Sequence, residues 1–227
     1  MTEIHSRLAG NSKASLVLYR FGRGLCVGFC RVWLRLSVEG REHVPPDGAF
    51  VLAPVHRSNM DTPIAAVCTK RRMRYMGKDS LWKVRCFGWL LSALGGFPVS
   101  RGTIDREALA RCTALLEAGQ PIVVFPEGQR QAGPIVQPLF DGAAYLAIKT
   151  QVPIVPVGIG GSERVMPKGS KIIWPRKVHV VVGRPLPPPA LEGTGARVNR
   201  QSVRDLTADL HERLQELFDT AQVRAGA

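Results

Sequence analysis

One short stretch carries the side chains best suited to chemistry: Val55-His56-Arg57-Ser58-Asn59-Met60-Asp61. His56 directly follows an apolar strand-like run, where a loop emerges at the strand's carboxyl end. Asp61 lies five residues on. Within one helix such residues point about 140° apart and do not meet. With His56 in the turn and Asp61 opening the next helix, the chain curls back and joins them. The carboxylate then binds one ring nitrogen, fixes the tautomer and leaves the other nitrogen as a base.

Three further stretches accompany it. Phe125-Pro126-Glu127-Gly128-Gln129-Arg130 also follows a strand. Gly128 there allows close backbone approach, and Arg130 offers a planar, permanently charged fork for phosphate or carboxylate. Gly95 to Arg101 closes a charge-free run with a single arginine, so Arg101 is a second phosphate candidate. Val152-Pro153-Ile154-Val155-Pro156-Val157 is chemically inert and can only build a wall. Gly158-Ile159-Gly160-Gly161 lacks the spacing of a dinucleotide loop, and no G-x-S-x-G nucleophile elbow is present.

The elements that must position these residues alternate between strand and helix. Strands are expected over 37–45 (with a turn), 49–54, 74–77, 97–100, 121–125, 154–159 and 178–182. Helices are expected over 60–69, 81–94 with a break near Gly88, 103–118 with Thr103 as N-cap, 142–150, and from Val203 to Ala221. This alternation implies an α/β fold, a single-domain central sheet flanked by helices. Residues 15–36 read as one amphipathic helix, with Leu18, Phe21, Leu25, Phe29, Val32 and Leu36 on one side and Arg20, Arg23, Arg31 and Arg35 on the other. Such a stripe faces either the core or a membrane surface, with Trp33 and Tyr19 near its edge. The expected division is an N-terminal membrane-associating segment over 1–38 and a catalytic domain over 39–227.

The four stretches, in this order and spacing, resemble the blocks of the glycerolipid acyltransferase family, typified by 1-acylglycerol-3-phosphate (lysophosphatidic acid) acyltransferases. The segment from Tyr75 to Trp82, followed by Phe87-Gly88-Trp89-Leu90, is similar to the family's connector between the first two blocks. The likeness covers residues 38–185. Val55 stands where the family often has Asn, Gln129 where Thr or Ser is usual, and Asp141 where many members have a basic residue. The resemblance implies that His56 is the general base and that Asp61 orients it. It implies attack by a glycerol hydroxyl on the thioester of acyl-CoA, a co-substrate, with no resident cofactor and no metal. Backbone N–H groups near the catalytic turn are candidate donors to the oxyanion. Arg101 and Arg130 would bind the acceptor phosphate, and Glu127 would orient that arginine or a glycerol hydroxyl. Gly128 shapes the same site, and Lys78 is a further acceptor-site candidate.

Composition fits a lipid-facing enzyme. The 227 residues carry a formal charge of +13 and 45% hydrophobic residues, which excludes disorder and suggests a polyanionic partner. Between 70 and 86, Lys70, Arg71, Arg72, Arg74, Lys78, Lys83 and Arg85 face only Asp79. Apolar insertion of the first helix would hold the protein on a bilayer, and its charge would attract it to anionic headgroups. The longest charge-free run, Cys86 to Ser100, holds 15 residues. That is short of the ~18–20 needed to span a bilayer. Met1 to Lys13 shows no secretory leader pattern. Cys26, Cys30, Cys68, Cys86 and Cys112 make an odd number without C-x-x-C spacing, as free thiols would. The expected place is the cytoplasmic face of a membrane, peripheral or monotopic. Glycerol-3-phosphate or another lysophospholipid is an alternative acceptor. A non-enzymatic basic module for membrane or nucleic acid explains the charge but not the four blocks. No nucleic-acid partner is expected, since no recognition motif is visible and aromatic residues total 7%.

Overall fold

A computed structural model describes residues 13–99, 106–167, 169–191 and 197–227. Seven strands form one sheet in the order β1-β7-β6-β2-β5-β3-β4. They are β1 (Ser37–Glu39), β2 (Val51–Pro54), β3 (Arg74–Lys78), β4 (Gly96–Val99), β5 (Ile122–Val123), β6 (Ile154–Gly160) and β7 (His179–Val182). The helices are α1 (Lys13–Trp33), α2 (Asp61–Ala65), α3 (Arg85–Ala93), α4 (Arg106–Glu117), α5 (Gly142–Thr150), α6 (Ser162–Val165) and α7 (Arg200–Ala225). The mixed α/β single sheet flanked by helices is the architecture expected from the sequence.

Strands β6, β2, β5, β3 and β4 run parallel, whereas β7 runs antiparallel to β6 and parallel to β1. Parallel strands are covered on both faces and therefore read as continuous apolar runs. All of β2 and β6 is buried, in keeping with this. The parallel direction also puts the carboxyl ends of β2, β5, β3 and β4 on one edge, where ligands bind in such sheets.

Glycines in β6 decide how closely α7 approaches. A Cβ on Gly158 would lie 2.2 Å from the Leu217 carbonyl oxygen, and one on Gly160 2.1 Å from that of Ala221. The glycine run set aside as a dinucleotide loop is thus a seat for the C-terminal helix. Gly88 has a similar role. It lies inside α3 without breaking it, and a Cβ there would meet Trp82 at 2.9 Å. The expected break gives way because the missing side chain makes room for the indole, whose Nε1 donates to Ser92 Oγ at 2.9 Å.

Other boundaries shift for local reasons. The helix expected over 60–69 is only five residues long, and tight turns carry the chain onward through Val67 N–H to Ile64 O and Cys68 N–H to Ala65 O. The proposed N-cap Thr103 lies outside the described residues. The five cysteines are free thiols.

Helix α1 packs against α2 and α3. Tyr19 and Cys30 are its buried contacts. Arg23 also turns inward, donating from Nε to the carbonyls of Ala66 (3.1 Å) and Thr69 (2.9 Å). The apolar stripe points away from the domain: Phe21 is 64% and Leu25 62% exposed, and Phe29 and Val32 are exposed with them. A core-facing stripe is therefore excluded for these four, and only Leu36, beyond the helix, is buried as a core residue. Among the described residues, no helix is long and apolar enough to cross a membrane.

Candidate active site

The turn that carries His56 leaves β2 at Pro54 and enters α2 at Asp61. Asp61 N–H donates to Ser58 O at 3.2 Å, so the chain doubles back and aims the Asp61 carboxylate into the turn. Asp61 Oδ2 lies 3.0 Å from His56 Nδ1. The same oxygen accepts the backbone N–H groups of Arg57 (2.5 Å) and Ser58 (2.6 Å). Those donors hold the carboxylate as an acceptor, so His56 Nδ1 carries the proton and Nε2 keeps a free lone pair. Asp61 is fully buried and His56 is 9% exposed. The imidazole stacks on Phe125, with ring centroids 4.1 Å apart. Pairing and stacking leave the ring little freedom, which is what a positioned base requires.

Glu127 comes from the turn after β5. Its side chain is fully buried and meets protein groups. Oε2 accepts the His56 backbone N–H at 3.0 Å. Both oxygens accept Arg57 Nη1 at 2.8 Å, and Oε1 accepts the Gln137 N–H at 3.0 Å.

Arg57 is the residue that sequence reasoning missed. It is 1% exposed. Beyond Glu127 it donates to the carbonyls of His56 (Nη1, 3.1 Å), Gly133 (Nε, 3.2 Å) and Ile135 (Nη2, 3.1 Å), and its guanidinium lies over the Phe218 ring at 4.8 Å. A buried charge needs this degree of pairing. Its place between His56 and Ser58 was the signal available, but nothing local shows that its partners lie about 70 residues away.

These bonds also bear on the oxyanion. The amides of His56, Arg57 and Ser58 are all taken by carboxylates. Oxyanion donors must therefore come from other groups than these three.

Gly128 has φ of 70°, and a Cβ there would lie 2.6 Å from the Phe140 ring. Both facts require glycine. Arg130 follows on the same loop, half-buried, and makes no ion pair or hydrogen bond with any described residue. Gln131 N–H donates to His56 O at 2.8 Å, so Arg130 is one residue from a direct tie to the catalytic turn. Lys78 is the last residue of β3, on the same carboxyl edge. Arg101 lies outside the described residues; the strand before it, β4, ends at Val99. Asp141 stands just before α5 without a side-chain capping bond, and its Oδ1 accepts Thr207 Oγ1–H at 2.9 Å. Among the described residues, no group of His, Cys, Asp and Glu could hold a metal ion.

A mostly parallel sheet with a carboxylate-paired histidine at its carboxyl edge defines an α/β protein of mixed single-sheet architecture. The chain belongs to the acyltransferase family, whose model matches residues 35–160. A chloroplastic 1-acyl-sn-glycerol-3-phosphate acyltransferase of Brassica napus is 27% identical over 183 residues, covering 75% of this chain and 53% of that protein. A 1-acyl-sn-glycerol-3-phosphate acyltransferase of Streptococcus pneumoniae is 29% identical over 154 residues, covering 64% of this chain and 55% of that one. This chain thus spans about half the length of the curated relatives it matches. The crystal structure of the 1-acyl-sn-glycerophosphate acyltransferase PlsC from Thermotoga maritima superposes with a TM-score of 0.69 at 26% identity, covering 90% of this chain and 79% of that one.

Proposed function

We propose that this protein transfers a fatty acyl group from acyl-CoA to the free hydroxyl of lysophosphatidic acid, forming phosphatidic acid. The observation that carries the reading is the 3.0 Å contact between His56 Nδ1 and a fully buried Asp61 carboxylate. His56 Nε2 takes the proton of the acceptor hydroxyl as its oxygen attacks the thioester carbonyl carbon. The tetrahedral intermediate collapses, the C–S bond breaks, and the imidazolium returns the proton to the leaving thiolate. An imidazole can both accept and return a proton, so one side chain serves both transfers. Arg130, with Arg101 and Lys78, supplies positive charge for the acceptor phosphate. Glu127 and Arg57 hold the catalytic turn in shape, and Gly128 lets the Arg130 loop pass under Phe140.

Both substrates carry apolar chains, and the outward stripe of α1 suits a surface element lying in one leaflet of an anionic membrane. The names of the relatives support the acceptor, and the dyad supports base catalysis without a covalent acyl-enzyme. The test is an acyl-CoA assay with lysophosphatidic acid and glycerol-3-phosphate side by side, in wild type and His56→Ala. Faster turnover of lysophosphatidic acid, lost in the variant, is the expected result. Equal activity in His56→Ala overturns the mechanism, and preference for glycerol-3-phosphate overturns the acceptor.

A further inference from the structure

A second apolar element stands beside α1. After α6 the chain runs through a loop, 169–177, in which Ile172 is 59% and Trp174 47% exposed. This loop is tied to the body of the protein. Trp174 N–H donates to Val165 O at 2.8 Å, while within the loop Ile172 N–H donates to Ser170 Oγ at 3.0 Å. Helix α1 holds it from the other side: Trp33 Nε1 donates to Ile173 O at 3.1 Å, and Val178 N–H donates to Leu34 O at 3.0 Å. Trp33 itself is exposed and stacks with exposed Phe29. The loop tip and the carboxyl end of α1 thus form one apolar surface.

Basic residues frame that surface. Lys171, Arg176 and Lys177 on the loop are exposed, as are Arg31 and Arg35 at the end of α1. No acidic residue occurs between Glu163 and Glu192 in the sequence. Exposed indole and aliphatic side chains ringed by cations match an anionic lipid interface, with apolar tips below the headgroups and cations among them. A water-facing loop gains nothing from this composition.

The chain shortly before the loop reaches the site: Met166 O accepts Ser58 Oγ–H at 3.1 Å, and Ser58 N–H, like that of Arg57, binds the Asp61 carboxylate. We propose that loop 169–177 is a second membrane-inserting element, which docks with the carboxyl end of α1 into an anionic bilayer and sets the height of the catalytic turn over the lipid. This inference rests on the membrane-surface reading given above and adds the element that would link the bilayer to the base.

The experiment is sedimentation with vesicles of phosphatidylcholine, or of phosphatidylcholine and phosphatidylglycerol in equal parts. Wild type, Ile172→Asp/Trp174→Asp and Ile172→Trp are compared, with thermal melting to verify folding. We expect the double aspartate variant to lose at least about tenfold in partitioning to the mixed vesicles, a loss of one buried aromatic or aliphatic anchor or more. Ile172→Trp should bind more tightly than wild type, and wild type should prefer the anionic vesicles. Turnover of a short-chain, water-soluble lysophosphatidic acid should be the same in all three. Unchanged binding in both variants overturns the inference, as does a self-associating wild type whose oligomer, rather than its vesicle binding, is lost in the aspartate variant. A wild type that binds vesicles but does not acylate lysophosphatidic acid instead overturns the acceptor proposed above, and the variants still decide the role of the loop.

Discussion

Arg57 Nη1 lies 2.8 Å from both carboxylate oxygens of Glu127, and neither side chain has meaningful contact with solvent. The pair joins the turn after β2 to the turn after β5. Glu127 in turn holds the His56 amide, so one buried ion pair fixes the backbone of His56. Removing one member leaves the other charged and buried, which costs about 3–5 kcal/mol. Glu127→Ala is therefore expected to lower unfolding free energy by that order in denaturant titration, and to lose activity with it. Arg57→Lys should fail to restore either, because an ammonium cannot make the same set of bonds from one planar fork.

Asp61→Asn tests the charge of the carboxylate separately from its geometry. The amide oxygen can take the three bonds that Asp61 Oδ2 accepts, but the variant removes the negative charge that favours the imidazolium. The expected outcome is a fall in kcat of roughly 10²–10⁴-fold with little change in KM for acyl-CoA. Steady-state kinetics on a variant that still melts cooperatively is the measurement. A normal kcat would mean that the negative charge of Asp61 is not needed beside His56.

Arg130 has no partner among the described residues, so its charge is free for a ligand. Arg130→Ala should raise KM for lysophosphatidic acid by about 10–100-fold, the equivalent of a charge-assisted bond of about 1.5–3 kcal/mol. KM for acyl-CoA should stay near the wild-type value. Equal effects on both substrates would place the arginine elsewhere than at the acceptor phosphate.

Gly160→Ala probes the seat of α7. The new Cβ would lie 2.1 Å from a main-chain carbonyl, so the helix itself must shift. Overpacking of this kind costs at least about 1–3 kcal/mol. For a chain of this size, each kcal/mol corresponds to about 2–4 °C in Tm, readable by calorimetry. Gly24→Ala in α1, where nothing lies within 4 Å, is the matched control and should not lower Tm, since alanine favours a helix over glycine.

Burial pushes the thiols of Cys68 and Cys112 up to about 12. At pH 8 only about one in ten thousand of such groups is a thiolate, the species that alkylates. Native protein treated with iodoacetamide should label Cys86, which is exposed, and spare Cys68 and Cys112. Raising the pH to about 9 should still leave the buried pair unlabelled, because about 12 lies well above it.

The His56–Asp61 pairing was legible because it is local: five residues, a turn and a helix start define it. The order of strands and helices was equally legible, since parallel buried strands leave continuous apolar runs such as Ile154 to Ile159. Local pattern does not say which charges are structural. Glu127 and Arg130 sit three residues apart in one loop, yet one is sealed around Arg57 and the other is open to a ligand. The difference arises because β2 and β5 are hydrogen-bonded neighbours, which puts Arg57 and Glu127 at the same sheet edge. Helix α1 shows the same division. Its periodicity determined that one face is apolar, but not which way that face points. Tertiary packing decided this, because Tyr19, Arg23 and Cys30 found partners on the domain and left Phe21, Leu25, Phe29 and Val32 outside.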